Sequence, residues 1–459
     1  MGTPDMRGTF GTFTFYTDDP VETTRTVPGG RIVRVPMVAD TAELELEGPE
    51  NTLRNDRRPT AVTLRVERDP SAPIARFATG DTEFILRQGE WSDWIRVAFP
   101  LLPGMKSAAG IFRVYAKELQ PRLRIYTTPV NLDPAAPELP LSTPDSYSRE
   151  LAATVGSFYT QGIAEDTAAL RAAVFTREEY RVQSRLVADE QFALLRHALE
   201  RFDRGLLFFH FLGIDQDSHM LWGDYEQELL ETYKRVDREV GRVVEHSRGA
   251  TVIVISDHGF AHFDRAVNLN TWLWREGFLA LDNPFNTSNQ ASFPHVDWSR
   301  TQAYALGLNA IYLNVKGREQ NGIVEPGAQS DRVASNIAER LRSFHDPVSR
   351  RRVVAAVYLP REAYRREPVQ PAPDLLVGYA AGYRASWQTG LGAVPMDLIE
   401  DNREEWRGDH CIAAELVPGV FVSNRAVRIA DPRLADITVT LLAEFGVKPK
   451  EGMEGRALF

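Results

Sequence analysis

The sequence is poor in several things, and each shortage excludes something. One cysteine, Cys411, stands alone among 459 residues, so no disulfide can close within the chain, which fits a reducing compartment. Long apolar runs are missing. The longest, Leu206–Ile214, is broken by His210 and Gly213, and Thr251–Ile255 is shorter still; a helix needs about 20 such residues to cross a bilayer. Basic residues are outnumbered, 53 Lys and Arg against 63 Asp and Glu, for a net charge of −10. That balance argues against a general binder of nucleic-acid polymers, which carries a basic face. It leaves room for a small phosphorylated substrate, because bound cations set the local field against the net charge. The opening MGTPDMRGTF has neither the basic stretch nor the apolar core of a signal peptide. It also has Met at position 6, where the myristoylation pattern wants Ser or Thr. These features read as cytoplasmic, or as periplasmic or secreted if an N-terminal signal has been lost.

What is present is ordinary globular composition, 43% hydrophobic and 25% charged. The first 145 residues read as β structure. Val62, Leu64 and Val66 alternate with Thr63, Arg65 and Glu67, and Leu44 and Leu46 alternate with glutamates. Period-two strands with Pro and Gly between them predict a sandwich or small barrel. The proline-rich stretch Asp133–Pro144 reads as a boundary. Beyond it the pattern becomes alternating strand and helix. Thr176 and Glu179 form a capping box before a helix running to about Phe202. Leu206–Leu212 and Thr251–Ile255 read as strands covered on both faces. Leu229, Tyr233, Val236, Val240 and Val243 make a helix stripe. Helices over Asp331–Phe344 and Leu434–Phe445, and strands over Val353–Tyr358, Leu375–Tyr379 and Val420–Val422, complete the pattern, with Gly446 just past the last helix. The fold class expected is α/β, a mostly parallel sheet with helices on both faces, preceded by a β-rich sandwich or barrel.

Three places carry chemistry. Asp215 and His219 stand four apart, one turn of a helix, where a carboxylate and an imidazole can share a cation; the alternative is a polar loop with a solvated Asp. Asp257-His258-Gly259 follows the strand Thr251–Ile255 directly. Ligands bind at such strand ends in open α/β sheets, and a plain helix-capping turn is the alternative. His410, in Gly408-Asp409-His410-Cys411, comes about 150 residues later. Asp217 and Asp409 flank these ligands and read as hydrogen-bond partners of an imidazole or as solvated carboxylates. His262 reads as a substrate contact or an exposed loop histidine. His210 reads as a satisfied core histidine, Asn268 and Asn270 as turn or capping residues, and Trp91 and Trp94 as buried in the β portion.

Taken together, D-x-x-x-H, then D-H-G after an apolar strand, then a late G-D-H resembles the alkaline phosphatase superfamily, and within it the type I phosphodiesterase/nucleotide pyrophosphatase branch. The closing Phe445-Gly446-Val447 and Glu454-Gly455-Arg456-Ala457-Leu458 are similar to the end of these enzymes. The resemblance covers about Ser148–Phe459. It implies a hydrolase of phosphoric esters with two divalent cations, Zn²⁺ by ligand type or else Mn²⁺. Asp215, His219 and His410 match the ligands of one cation, and Asp257 and His258 match two ligands of the other. The family's nucleophile, a Thr or Ser opening a helix, and one further Asp match nothing here; Thr9, Thr12 and Thr14 lack the strand–nucleophile–helix context. Residues 1–12, with Gly2-Thr3-Pro4-Asp5, then read as a remnant of the catalytic domain, 13–145 as a β-rich insertion, and 146–459 as the catalytic domain without its first third. A sulfatase, which shares the fold, would need a C/S-x-P-x-R segment, and none surrounds Cys411. A non-catalytic metal-binding or assembly module is the competing class.

Overall fold

A computed structural model describes residues 9–25, 27–102, 104–247, 249–359 and 372–459. The chain splits into two compact units, Met1–Gln216 and Asp217–Phe459. Of the expected catalytic remnant 1–12, residues 1–8 lie outside the described residues.

The first unit is built on the alternation legible in its strands. In β3 (Thr41–Glu50) Ala42, Leu44 and Leu46 turn inward, while Glu43 and Glu45 face water. In β4 (Pro59–Arg68) Leu64 and Val66 do the same. The register places Leu44 opposite Leu64 and Ala42 opposite Val66, so one face of the pair is apolar. β5 (Ile74–Thr79) and β6 (Thr82–Arg87) extend this antiparallel meander. A second sheet runs β11 (Asn131–Leu132), β8 (Lys106–Phe112), β7 (Ile95–Leu102). A third runs β2 (Gly30–Arg34), β1 (Phe13–Thr17), β10 (Arg124–Thr127), β9 (Val114–Glu118), and only its β1–β2 pair is parallel. Leu44, Leu64, Phe77, Phe99, Phe112 and Ile125 belong to one buried cluster, so the sheets share a core as a β-sandwich does.

The unit continues past the proline-rich stretch into α1 (Ser146–Val155), α2 (Thr167–Arg171) and α3 (Arg177–Arg201). α3 starts at the expected capping box, with Thr176 and Glu179 each accepting the other's backbone N–H. The same Glu179 accepts from Tyr115 Oη at 3.0 Å and pairs with Lys117. Glu190 accepts from Trp94 Nε1 at 2.8 Å and from Arg113 at 2.6 Å. Burial pushes the Glu190 carboxyl above its ordinary value in spite of Arg113. Trp91 stacks on Tyr115 at 4.9 Å. The two tryptophans are half-buried rather than buried; Trp91 packs on Tyr115 and Trp94 is held by Glu190.

Helix α4 (Gly213–Leu221) contains the boundary between the units. In the second unit follow α5 (Glu226–His246), β12 (Ile253–Ile255), β13 (Ala261–Val267) and α6 (Leu269–Arg275). Then come β14 (Ala303–Ala305), β15 (Ala310–Leu313), α7 (Ala328–Arg342), β16 (Val354–Tyr358), β17 (Leu375–Tyr379) and β18 (Gly382–Ala385). The chain ends with α8 (Trp387–Gly390), β19 (Ile399–Asp401), β20 (Gly408–Asp409), β21 (Phe421–Ser423) and α9 (Leu434–Glu444). Its core joins α6, β14, β15, α7, β16 and β17 through residues such as Leu273, Ile311, Ile337, Val354 and Leu375.

The expected mostly parallel sheet is not what forms. The sheet β14–β15–β17–β16 is antiparallel throughout, β12 pairs antiparallel with β21, and in this unit only β13–β18 is parallel among the described strands. Apolar runs report how deeply a strand is buried and nothing of its direction. Direction follows the connection: only residues 306–309 separate β14 from β15, far short of the dozen or more a parallel crossover takes.

Leu206–Leu212 is not a strand but a segment without regular structure, paired with no strand among the described residues, with Leu206 57% and Phe208 74% exposed, and His210 is exposed with it rather than a core residue. β12 is half-buried along its length rather than covered on both faces, because its sheet holds two strands. Asn268 stands at the N-cap position of α6, in line with the capping reading, but its side chain does not cap; both Asn268 and Asn270 are fully buried cross-links. Asn268 donates to Asp397 O and Glu400, and Asn270 to Ala305 O and Ala393 O. No helix among the described residues is long and apolar enough to cross a membrane.

α9 matches its expected span, and Gly446 just beyond it has φ +67°. Asp436 in its first turn accepts the N–H groups of Arg433 at 2.8 Å and Arg456 at 2.7 Å, tying the helix start to the closing segment. Burial pushes this carboxyl up, and the Arg456 and Arg433 N–H groups with their guanidinium charges outweigh it, holding it below the usual range. A depressed acid contributes stability above its unfolded pKa and loses it as pH falls through the folded value. Asp436→Ala is therefore expected to cost about 1–2 kcal/mol at neutral pH in urea unfolding, with the difference from wild type vanishing in strong acid. An equal loss at both pH values would show that the charge does not matter.

Candidate metal centre

α4 brings together the first pair of candidate ligands. Its opening turn hydrogen-bonds back to the incoming chain, with Asp215 N–H donating to Leu212 O at 2.9 Å. Asp215 sits in the first turn, where the helix dipole favours a carboxylate, and His219 lies one turn on along the same face. His219 is buried, and its Nδ1 is 2.7 Å from the carbonyl of Gly408. A carbonyl only accepts, so the proton sits on Nδ1 and the ring lone pair on Nε2, the tautomer a metal ligand needs.

Gly408 permits this approach. A Cβ there would lie 2.6 Å from Ser218 O and 2.8 Å from Trp222 Cβ, so only glycine lets β20 run beside α4. Two residues later the chain presents His410. One oxygen of Asp215 and one ring nitrogen each of His219 and His410 lie within 4.8 Å of one another. Ligand atoms about 2.0–2.2 Å from a shared Zn²⁺ are at most about 4.4 Å apart. Small side-chain rotations close that gap, and a carboxylate with two imidazoles is a donor set that suits Zn²⁺.

Asp257 and His258 follow β12, in a turn held by the Gly259 N–H donating to Val417 O at 3.0 Å. A Cβ at 259 would meet Pro418 O at 2.9 Å. The His258 ring lies flat on His410, with centroids 3.6 Å apart and planes within 12°. Its Nδ1 faces Gly259 O at 3.1 Å and its Nε2 is 3.6 Å from Asp257 Oδ1. The Asp257 side chain is 73% exposed. Four of the five expected ligands therefore gather around His410, and Asp257 joins them at the solvent edge through His258.

Asp217 and Asp409 are both buried, which excludes their reading as solvated carboxylates. Asp217 accepts from Thr232 Oγ1 at 2.6 Å and ties α4 to α5. Asp409 accepts the N–H groups of His410 at 2.8 Å and Cys411 at 2.7 Å. Its other oxygen meets Trp406 Nε1 and Arg384 Nε, each at 2.7 Å. Burial pushes the Asp409 carboxyl up, and Arg384 together with the N–H donors outweighs it, leaving it below the ordinary range. Asp409, His410 and Cys411 form a second grouping of possible ligand atoms. Burial first, and the Asp409 charge second, push the Cys411 thiol up to about 12, which disfavours the thiolate a metal takes. His262 lies exposed on β13, its ring against Gly223 and 6.3 Å from Trp222.

Sequence reasoning missed three neighbours of the cluster. Trp406 stacks on His219 at 3.8 Å, and Phe260 meets His219, His410 and His258 edge-on at 4.9, 5.3 and 5.5 Å. Arg384, fully buried, is the third. Its signal was an arginine in the otherwise uncharged segment Gly382-Tyr383-Arg384-Ala385-Ser386, since buried charges are rare unless paired.

The sequence model of the family described as type I phosphodiesterase / nucleotide pyrophosphatase matches residues 93–388, more than half of the chain. The chain belongs to that family. The phosphodiesterase match holds Asp215, His219, Asp257 and His258 and ends before His410. It begins in the β-rich part, earlier than the Ser148 expected from motifs alone. Comparisons with curated proteins and with solved structures gave no match.

Proposed function

We propose that this phosphodiesterase-family chain is a metal-dependent module for phosphoric-ester hydrolysis, with one divalent cation, Zn²⁺ by donor type, held by Asp215, His219 and His410. The observation that carries this reading is the approach of those three ligand atoms to within 4.8 Å across nearly two hundred positions of sequence. His258 and Asp257 are the residues available to a second, weaker site. A divalent cation, once bound, supplies positive charge against the negative charge that develops on a phosphoryl group in transfer. The chain's own contribution is orientation. Gly408 O sets the His219 tautomer, α4 fixes the spacing of Asp215 and His219, and the rings of Trp406 and Phe260 pack against the His219 imidazole. The family's Thr or Ser nucleophile has no counterpart by motif in this sequence, so this chain is expected to bind metal and turn over esters poorly.

Calorimetric titration with ZnCl₂, paired with hydrolysis of an aryl phosphodiester, tests both parts. The expected result is one tight equivalent of Zn²⁺ and hydrolysis close to that of Zn²⁺ in buffer. Absence of Zn²⁺ binding would overturn the metal assignment. Two tight sites with brisk hydrolysis would overturn the claim that the nucleophile is missing.

A further inference from the structure

The histidines of the centre are arranged from behind by a buried polar assembly of which the motifs include only Asp409. Asp409 is its hub. One oxygen accepts the N–H groups of His410 and Cys411, which fixes the backbone from which the His410 ring projects onto His258. The other oxygen accepts from Trp406 Nε1, whose ring is the one stacked on His219. A single carboxylate thus sets both imidazoles at once, one through its backbone and one through an indole.

That carboxylate is buried, and a buried charge needs a partner. Its partner is Arg384 on β18, with Nε 2.7 Å from Asp409 Oδ2 and both side chains almost wholly inaccessible. Arg384 is held in turn by aromatic rings, its guanidinium 3.9 Å from the centroid of Trp387 and 5.1 Å from that of Phe263. β18 runs parallel beside β13, the strand that follows the Asp257–His258 turn, so the arginine is anchored next to the strand into which that turn leads.

We propose that Arg384 is a positioning residue of the metal centre, acting through Asp409 and Trp406 to hold His410 and His219 in metal-binding orientation. This rests on the assignment of Asp215, His219 and His410 as ligands. It adds that the centre depends on a charge that touches no metal.

Cobalt serves as the probe, because its visible absorption reports ligand arrangement as well as occupancy. Co²⁺ affinity by chelator competition, and the spectrum at saturation, are measured on the wild-type chain, Arg384→Gln, Arg384→Lys and Trp406→Phe. Arg318→Gln is the control; it breaks an arginine–aspartate pair with Asp374, 2.6 Å apart and only partly buried, elsewhere in the same unit. Removing residues that orient metal ligands typically weakens binding about 10–100-fold. Arg384→Gln is expected to show that loss with an altered spectrum, Arg384→Lys to recover part of it, and Arg318→Gln to lower thermal stability alone. Should Arg384→Gln not fold, Trp406→Phe decides, since it keeps a ring beside His219 and deletes only the donor to Asp409. Wild-type affinity and spectrum in the folded Arg384 variant, or in Trp406→Phe when Arg384→Gln is unfolded, would overturn the proposal while leaving the ligands standing. Failure of the wild-type chain to bind Co²⁺ would instead remove the ligand assignment and this inference with it.

Discussion

Replacing His410 with alanine is expected to weaken Zn²⁺ binding by about 100-fold or more. Four-ligand structural zinc sites bind with about 10–16 kcal/mol, so one protein ligand accounts for about 3 kcal/mol, which is about two orders of magnitude in affinity. His410 is the member whose loss should be felt most widely. It is within reach of Asp215 and His219, and its ring is the platform for His258. His219→Ala should match it at the first cation, while His258→Ala should weaken only the second. His295→Ala, which removes a half-exposed histidine beside Asp282, controls for the general loss of an imidazole. Calorimetry with ZnCl₂ reads all four. If His410→Ala and His295→Ala bind zinc equally well, the three residues do not form a centre.

The second large effect concerns the first unit. Phe77 is fully buried in β5, opposite Val66 on one side and Phe84 on the other, with its ring stacked on Phe84 at 5.1 Å. Phe77→Ala removes a large apolar side chain from the centre of a close-packed core. The expected loss is about 3–5 kcal/mol, transfer and cavity terms together. Urea unfolding of the whole chain, followed by tryptophan fluorescence and far-UV circular dichroism, measures it. Phe84 is less buried, so Phe84→Ala should cost less. A loss at Phe77 no larger than that at Phe84 would mean that the sheets do not close over a common core there.

Much of this was legible residue by residue, and the failures have physical causes. Leu44, Leu46, Leu64 and Val66 alternate because one face of their sheet is dry, so their inward orientation follows from period two alone. Thr176 and Glu179 start α3 as their spacing predicts, since capping is a contact between near neighbours. Asp215 and His219 share a face because helical geometry puts residues four apart there. Asp409 and Arg384 were opaque. An aspartate beside a histidine looks the same in sequence whether it faces water or a guanidinium 25 positions upstream. Leu206–Leu212 misled for the opposite reason. Its composition calls for a covered strand, and among the described residues no strand pairs with it.

By itself, the amino-acid sequence determined the local periods, the caps and the residue types gathered around His410, because each depends on residue identity or on side chains a few positions apart. It also carried the family, through motifs that survive without their neighbours. Only the tertiary structure decided strand direction, the seating of β20 beside α4 at Gly408, the stack of His258 on His410, and the Arg384–Asp409 pair behind them. Those are contacts between segments distant along the chain. They are settled by packing and by the need to pair buried charge, and neither is written in any one stretch of residues.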